Sequence, residues 1–338
     1  MRAIGATHTL PVTDPGCLIE FETADPSPGP RDLLVRIEAA AVNPVDTKLR
    51  RKLGSTPLNP PRILGFDAAG TVEAVGAEVT RFSPGDAVFY SGDLGRPGCN
   101  AGLQLVDERL AALRPSSISA AGAASLPLTM LTAWELLFER MLIDPDGRHA
   151  GQSILVIGGG GGMGCAVIQL AKLAGLTVIA TSSRDETSAL CRSLGADHVV
   201  THRLPLRPQL EELQFPALPF IANLVDTDGY WEQTGDLLAP LGSLGLIVEP
   251  VRPLHLGDPL KAKCARICWE FMAARPKYQL PDMHRHGEIL AEVARLVDAG
   301  RLRPAVGRLP APLSAESLRA AHAEMEAGRA VGKTVLTW

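Results

Sequence analysis

A run of glycines joins two apolar segments in the middle of the chain. Residues 154–157 are apolar, residues 158–162 are all glycine, and a second apolar segment covers residues 165–174. Within this stretch the spacing G-x-G-x-x-G occurs, which lets a turn tighten, a pyrophosphate approach the backbone and a helix pack closely on a strand. Five glycines alone are also typical of a flexible loop, but a strand before and a helix after favour a dinucleotide site. The predicted phosphate-contacting residues are Gly159, Gly161, Gly162, Met163 and Gly164.

The next predicted strand indicates which dinucleotide would bind. In such folds the second strand ends beside the adenosine ribose, and NAD-binding chains place Asp or Glu there. Here the strand Thr177–Thr181 is followed by Ser182, Ser183 and Arg184, and the first acid is Asp185. Hydroxyls and a guanidinium bind a 2′-phosphate with charge-assisted hydrogen bonds, which an acid would oppose. The segment therefore favours NADPH, although Arg184 would also suit the start of a solvated helix.

Composition restricts the classes of protein that remain. A length of 338 residues predicts about two domains, and a net charge of −4 with 4% aromatic residues argues against a nucleic-acid surface. We expect neither a signal peptide nor a membrane span, and hence a soluble cytoplasmic protein. The six cysteines are scattered without a C-x-x-C pair and are predicted to be reduced, small buried hydrophobes. Cys264 and Cys268 would be neighbours if their segment were helical.

Periodicity divides the chain into a β-rich first third and an alternating middle. Short Val-rich runs such as Leu33–Ile37 and Ala69–Ala74 predict strands separated by turns. From Ile154 onward strands alternate with helices, which predicts a parallel sheet with right-handed crossovers, interrupted by a Pro-rich linker after Thr201. The tail predicts two amphipathic helices and a last strand: His284–Ala299, Ala315–Ala327 and Thr334–Trp338.

Several longer segments together resemble the medium-chain dehydrogenase/reductase superfamily, in its quinone oxidoreductase branch, and most closely the zinc-type alcohol dehydrogenase-like proteins. They are residues 41–48 (AVNPVDTK), 65–70 (GFDAAG), 85–88 (GDAV), 126–134 (LPLTMLTAW), 268–272 (CWEFM), 321–326 and 332–333. The resemblance implies an α/β protein. A GroES-like β-rich catalytic domain would comprise residues 1–127 and 275–338, and a Rossmann NADPH-binding domain residues 128–274.

The resemblance also exposes a departure from the zinc-containing members. Their first cysteine ligand corresponds to Asn43, their histidine ligand to Phe66 (with Asp67 after it) and their third ligand to Leu128. Phe and Leu cannot ligate zinc, and an amide is a poor ligand. The region of the structural zinc lobe, residues 90–105, has only Cys99. The eight histidines form no ligand set, and the pair His284 and His286 is interpreted as part of a solvated loop. We therefore expect no zinc.

Three residues are candidates for catalysis. Asn43 would donate its amide to a substrate oxygen, and Lys48 would stabilise an enolate or supply a proton through water, unless it is simply a surface lysine. Thr132 matches a threonine that reaches the nicotinamide in the family, or else caps a helix. Asp46 is expected to be structural. His202 falls where NADPH-specific relatives place a ring beside the adenine.

The expected function is an NADPH-dependent reductase of quinones or α,β-unsaturated carbonyls that works without zinc. We expect a small-molecule substrate, no nucleic acid, no membrane, and a homodimer joined through an edge strand near Arg266–Met272. Two alternatives remain open: a zinc alcohol dehydrogenase acting on alcohols or aldehydes, and an NADPH-binding sensor or structural protein without turnover.

Overall fold

The β-rich first third is built from short, half-buried strands. The computed structural model describes residues 1–307 and 311–338. Burial alternates along Ile19–Glu22 and the first part of Asp32–Val42, as expected when one face of a sheet covers a core, whereas four consecutive residues of Arg2–Ala6 are buried. The strands are β1 (Arg2–Ala6), β2 (Ile19–Glu22), β3 (Asp32–Val42), β4 (Arg62–Ile63), β5 (Asp67–Val75), β6 (Ala87–Ser91), β7 (Leu103–Asp107) and β8 (Ala111–Leu113). The helices are α1 (Pro44–Arg51), α2 (Ala120–Ala124) and α3 (Pro127–Trp134), with 3₁₀ turns at Pro15–Cys17 and Glu108–Leu110.

Strands and helices alternate through the middle of the chain. A π-helical segment, Glu135–Arg140, precedes them. The strands are β9 (Ser153–Ile157), β10 (Thr177–Thr181), β11 (His198–Val200), β12 (Leu218–Asn223), β13 (Leu238–Leu246) and β14 (Arg266–Trp269). The helices between them are α4 (Gly162–Leu173), α5 (Asp185–Ser193), α6 (Leu206–Glu212) and α7 (Thr227–Leu237).

The last 65 residues of the chain, 274–338, include a strand that pairs with β3. They contain α8 (Ala274–Lys277), α9 (Arg285–Asp298), β15 (Ala311–Pro312), α10 (Ala315–Glu326) and β16 (Thr334–Thr337). The amphipathic pattern of α9 buries one face, including Ile289 and Val293.

The chain forms two compact units. The first comprises residues 1–131 and 273–338, and the second residues 132–272. In the first unit, the described strands form a sheet in the order β15-β16-β3-β5-β6-β8, with β7 paired to β3, and a smaller sheet in the order β2-β1-β4. Because β16 pairs antiparallel with β3, the end of the chain completes a sheet that begins near its start.

The second unit has the doubly wound parallel sheet that the alternation predicts. Its strand order is β11-β10-β9-β12-β13-β14, and each of these pairs is parallel. All five residues of β9 are buried, as expected for a central strand covered on both faces. The expected fold class, a GroES-like β-rich domain with a Rossmann-type α/β domain, is confirmed.

Two local expectations are wrong, and one condition is not met. The Pro-rich linker contains helix α6, because Pro208 lies in its first turn, where the missing N–H has no intrahelical role, and Leu206 and Leu210 are buried. His286 lies in α9 and is buried rather than in a solvated loop. Cys268 lies in a strand, so it does not share a helical turn with Cys264. All six cysteines are free thiols, and only Cys264 is exposed.

Candidate functional site

The glycine run forms the turn from β9 into α4. Gly158 has a φ of +94°, a left-handed conformation that glycine adopts at no steric cost, so Gly158, rather than Gly159, provides the tight turn. Gly161 precedes the first residue of α4, whose N-terminal N–H groups have no intrahelical acceptors.

Close packing explains the neighbouring glycines. A Cβ added at Gly159 would lie 2.8 Å from Ala180 Cβ, and one added at Gly160 would lie 2.5 Å from Thr187 Cβ. A Cβ added at Gly164 would lie 2.3 Å from the carbonyl oxygen of Gly158. A side chain at any of these positions would clash, because the turn packs closely against β10 and α5 and α4 packs closely on the turn.

Gly161 differs from those three glycines. The nearest heavy atom to an added Cβ is the Gly158 oxygen, at 3.6 Å, an ordinary van der Waals contact, so packing within the protein does not require a glycine here. A residue without a side chain directly before the N-terminal N–H groups of α4 suits the close approach of a pyrophosphate. Gly162 and Met163, in the first turn of α4, belong to the same helix N-terminus. The turn fits a dinucleotide phosphate.

The end of β10 presents hydroxyl and guanidinium groups where the ribose specificity residue is expected. Ser182 is buried, and its hydroxyl contacts Thr187 Oγ1 at 2.5 Å and the Arg184 carbonyl oxygen at 3.3 Å. Ser183 and Arg184 are half-buried and precede α5. Ser182 thus supports the helix start, and Ser183 and Arg184 are the better placed groups for a ligand.

The segment after the neighbouring strand β11 contributes a second arginine, Arg203. Thr181 of β10 pairs with Val200 of β11, so the residues that follow the two strands lie at one edge of the sheet. There the pKa of His202 is lowered, first by partial desolvation and then by the positive charges of Arg203 and Arg184. Arg203, which the sequence did not single out, therefore belongs to the same cationic surface.

A buried polar cluster in the first unit follows from the register of three strands. Thr334 of β16 pairs with Val42 of β3, and Ala41 of β3 pairs with Asp67 of β5. Lys333, immediately before β16, and Asn43, immediately after β3, therefore meet Asp67 at one end of the sheet. All three are buried.

Each member of this cluster bonds to the other two. Lys333 Nζ donates to Asn43 Oδ1 at 2.5 Å and to Asp67 Oδ2 at 2.7 Å. Asn43 Nδ2 donates to Asp67 Oδ2 at 2.8 Å and to the Ala41 carbonyl oxygen at 3.3 Å. The backbone N–H of Leu128 donates to Asp67 Oδ1 at 2.6 Å. Both carboxylate oxygens of Asp67 thus have donors, as a buried charge requires.

Two further groups around the cluster have shifted pKa values. The Asn43 backbone N–H donates to Asp46 Oδ2 at 2.7 Å, but desolvation raises the pKa of Asp46 to about 7. The Asp67 charge adds to this rise, whereas the Asn43 N–H and the Lys333 charge oppose it. Burial, together with the Asp46 and Asp67 charges, holds the pKa of Cys99 well above its usual value. Cys99 is therefore a thiol, and its Sγ donates to the Asp67 carbonyl oxygen at 3.3 Å.

The three predicted catalytic residues lie in different settings. Both amide hydrogens of Asn43 already have acceptors, so a substrate oxygen would have to displace one of them. Lys48 is exposed on α1, and Thr132 is buried in α3 at the first residue of the second unit. Their roles in catalysis remain predictions.

The zinc-ligand positions do not fit zinc. Phe66 and Leu128 have no donor atom in their side chains, and Asn43 and Asp67 already bind an ammonium. Within residues 1–307 and 311–338, no three His, Cys, Asp or Glu side chains are grouped so that they could hold a metal ion.

Sequence reasoning did not assign a role to Lys333. Lys333 lies in the segment 332–333 that resembles the family, but a lysine directly before an apolar strand is equally typical of a solvated strand end. Its partners lie 290 and 266 positions earlier in the chain, so only the strand register identifies them.

Family comparisons agree with this architecture. Residues 29–122 match the alcohol dehydrogenase GroES-like domain, and residues 194–336 match the zinc-binding dehydrogenase family. A zinc-type alcohol dehydrogenase-like protein of Staphylococcus aureus (strain MSSA476) is 40% identical over 337 residues, 99% of each chain. The chain belongs to the medium-chain dehydrogenase/reductase superfamily, and it is an oxidoreductase of that superfamily.

Other relatives carry different activities in their names. A 2-methylene-furan-3-one reductase of Solanum lycopersicum is 31% identical over 94% of this chain and 74% of its own. A solved protein of Rhizobium etli CFN 42, assigned provisionally to the zinc-dependent alcohol dehydrogenases, is 42% identical with a TM-score of 0.94 over 100% of this chain and 98% of its own. A quinone oxidoreductase of Pseudomonas syringae pv. tomato DC3000 is 26% identical, with a TM-score of 0.81 over 100% and 99% of the two chains.

Proposed function

We propose that this protein is an NADPH-dependent reductase of quinones or α,β-unsaturated carbonyls and that it works without catalytic zinc. The observation that carries the coenzyme assignment is the end of β10, where Ser183 and Arg184 replace the acid of NAD-binding chains and Arg203 lies close by. A guanidinium favours a 2′-phosphate because the pair forms charge-assisted hydrogen bonds.

The substrate class is inferred from the zinc-ligand positions, whose residues do not fit a metal ion. NADPH supplies a hydride, and an acceptor must be electrophilic enough to take it. A zinc alcohol dehydrogenase uses the metal as a Lewis acid on the alcohol oxygen, whereas in a quinone or conjugated carbonyl the developing charge spreads to a distant oxygen. The protein then needs mainly to orient the partners and exclude water. The reductase and quinone oxidoreductase relatives support this choice.

Steady-state kinetics tests the proposal. Protein purified without chelators and then treated with a chelator should oxidise NADPH in the presence of quinones or enals, and more efficiently than NADH. Simple alcohols with NADP⁺ should give no comparable rate. Tight NADPH binding without turnover across the whole acceptor panel would instead favour a sensor or structural protein.

A zinc alcohol dehydrogenase is the second candidate, because two relatives carry zinc in their names. Metal analysis of protein purified without chelators separates the two. We expect less than one tenth of a zinc ion per chain and unchanged quinone reduction after chelation. One zinc per chain, together with alcohol oxidation that the chelator abolishes, would establish the alternative.

We also propose a homodimer joined through β14. Among the described strands β14 is at the edge of its sheet, and Trp269 and Phe271 nearby are 45% and 49% exposed. An exposed apolar edge strand needs cover. Light scattering should give a dimer mass for the protein and a monomer mass for the double variant Trp269→Glu/Phe271→Glu. A dimer mass for both would exclude this edge.

A further inference from the structure

The buried ammonium of Lys333 is fixed from two sides. Nζ binds Asn43 Oδ1 at 2.5 Å and Asp67 Oδ2 at 2.7 Å, and only 5% of the Lys333 side chain is exposed. A charged group removed from water is retained only when it is paired and hydrogen-bonded. Lys333 and Asp67 thus compensate each other.

The same ammonium decides the orientation of the Asn43 amide. An ammonium has only donors, so it must face the oxygen of the amide, and Nδ2 must then face the Asp67 carboxylate. Asp67 in turn accepts the Leu128 backbone N–H. One cation therefore holds together the end of β3, the start of β5, the start of β16 and the first turn of α3.

A metal ion would compete for this place. Zinc at the ligand position of Asn43 would have to bind Oδ1, which already accepts from the ammonium at 2.5 Å, and the two positive charges would repel strongly in a buried site. Phe66 and Leu128 would contribute no ligand atoms. The family is named for zinc binding, but the cationic position of this cluster is already filled by the chain.

We propose that Lys333 is a built-in replacement for a metal ion: it is a positioning residue whose ammonium neutralises Asp67 and sets the Asn43 amide. The proposal concerns the apo-protein and needs neither the coenzyme nor the substrate proposed above. It shares with the proposed function only the lack of zinc, so the melting experiments below test it separately.

Chemical rescue tests it directly. Lys333→Ala removes three methylene groups and the ammonium, and propylammonium has the matching shape and charge. We expect the variant to melt roughly 10 °C below the wild type. Propylammonium should recover several degrees, whereas sodium chloride at equal ionic strength should not. The wild type and the exposed-lysine control Lys52→Ala should show no response to propylammonium. An unaltered melting temperature in Lys333→Ala, or equal recovery with sodium chloride, would overturn the proposal.

A second pair of variants tests the proposal if Lys333→Ala does not fold. Lys333→Met leaves the Asp67 charge uncompensated, and the double variant Lys333→Met/Asp67→Asn removes both charges. We expect the double variant to recover at least half of the melting temperature lost in Lys333→Met. No recovery would show that Lys333 acts through packing alone, and one zinc ion per chain in the wild type would contradict the replacement of a metal.

Discussion

Asn43 and Asp46 are both buried at the start of α1 and are joined by a 2.7 Å hydrogen bond from the backbone N–H of the first to Oδ2 of the second. Because the folded-state pKa of Asp46, about 7, is above the ordinary value of 3.8, the folded protein holds this proton more tightly than the unfolded chain. The associated stability is fully present below about pH 3.8 and is lost as the pH rises through about 7.

Asp46→Asn should remove this pH dependence. The amide oxygen can still accept the Asn43 N–H, but it does not ionise. The free energy of unfolding of the wild type should include a decrease of at most about 1.4 kcal/mol per pH unit from this group between pH 4 and 7, and the variant should lack it. Urea unfolding at several pH values measures the difference between the two proteins. Parallel curves for both would contradict the assignment.

His322 should produce the opposite dependence. Its ring is buried, and both ring nitrogens lack a hydrogen-bond partner. Burial, and secondarily the Arg50 charge, lowers its pKa to about 4 from 6.5. The folded protein therefore binds this proton more weakly than the unfolded chain, and stability that is present above pH 6.5 is lost as the pH falls through about 4.

His322→Leu should make the protein less sensitive to acid. Between pH 7 and pH 4, His322 should lower the free energy of unfolding of the wild type by up to about 3 kcal/mol. The variant should not show this decrease. Thermal unfolding across this range checks the result, with the exposed His255→Gln as the control variant. If His322→Leu loses stability toward acid as steeply as His255→Gln, another group is responsible.

Arg184→Ala should change coenzyme preference. Removal of the guanidinium should weaken NADPH binding by roughly 10-fold or more, since charge-assisted hydrogen bonds contribute about 1.5–3 kcal/mol, and should leave NADH binding nearly unchanged. Titration calorimetry with both coenzymes provides the affinities. Arg192→Ala, on an exposed residue at the other end of α5, is the matched control. Equal losses for both coenzymes would show that Arg184 does not contact a 2′-phosphate.

Two substitutions in the glycine turn should separate folding from binding. Gly164→Ala places a Cβ 2.3 Å from the Gly158 oxygen and should destabilise the protein by about 1–3 kcal/mol. Gly161→Ala has space for its Cβ and should retain stability but lose NADPH affinity. Denaturant melts and coenzyme titrations of both variants test this pattern. A Gly161→Ala protein that binds NADPH normally would exclude the proposed phosphate position.

The sequence predicts an element most reliably where apolar residues or glycines follow one another without interruption. The apolar strand and glycine run identified β9 and α4, and the strand Thr177–Thr181 matches β10. The proline content after Thr201 predicts a linker, whereas Pro208 fits the first turn of α6 and Leu206 and Leu210 are buried. Lys333 was assigned no role, since its environment depends on pairing between strands that are distant in the chain.

The order of these strands along the chain has a consequence for biosynthesis. Asp67 leaves the ribosome 266 residues before Lys333, a delay on the order of tens of seconds at typical elongation rates. During that interval the nascent first sheet lacks both β16 and the counter-ion of its buried carboxylate. The first unit is therefore expected to reach its native state only after translation of the second unit is complete, and the unpaired edge of the early sheet is the surface that chaperones would have to protect.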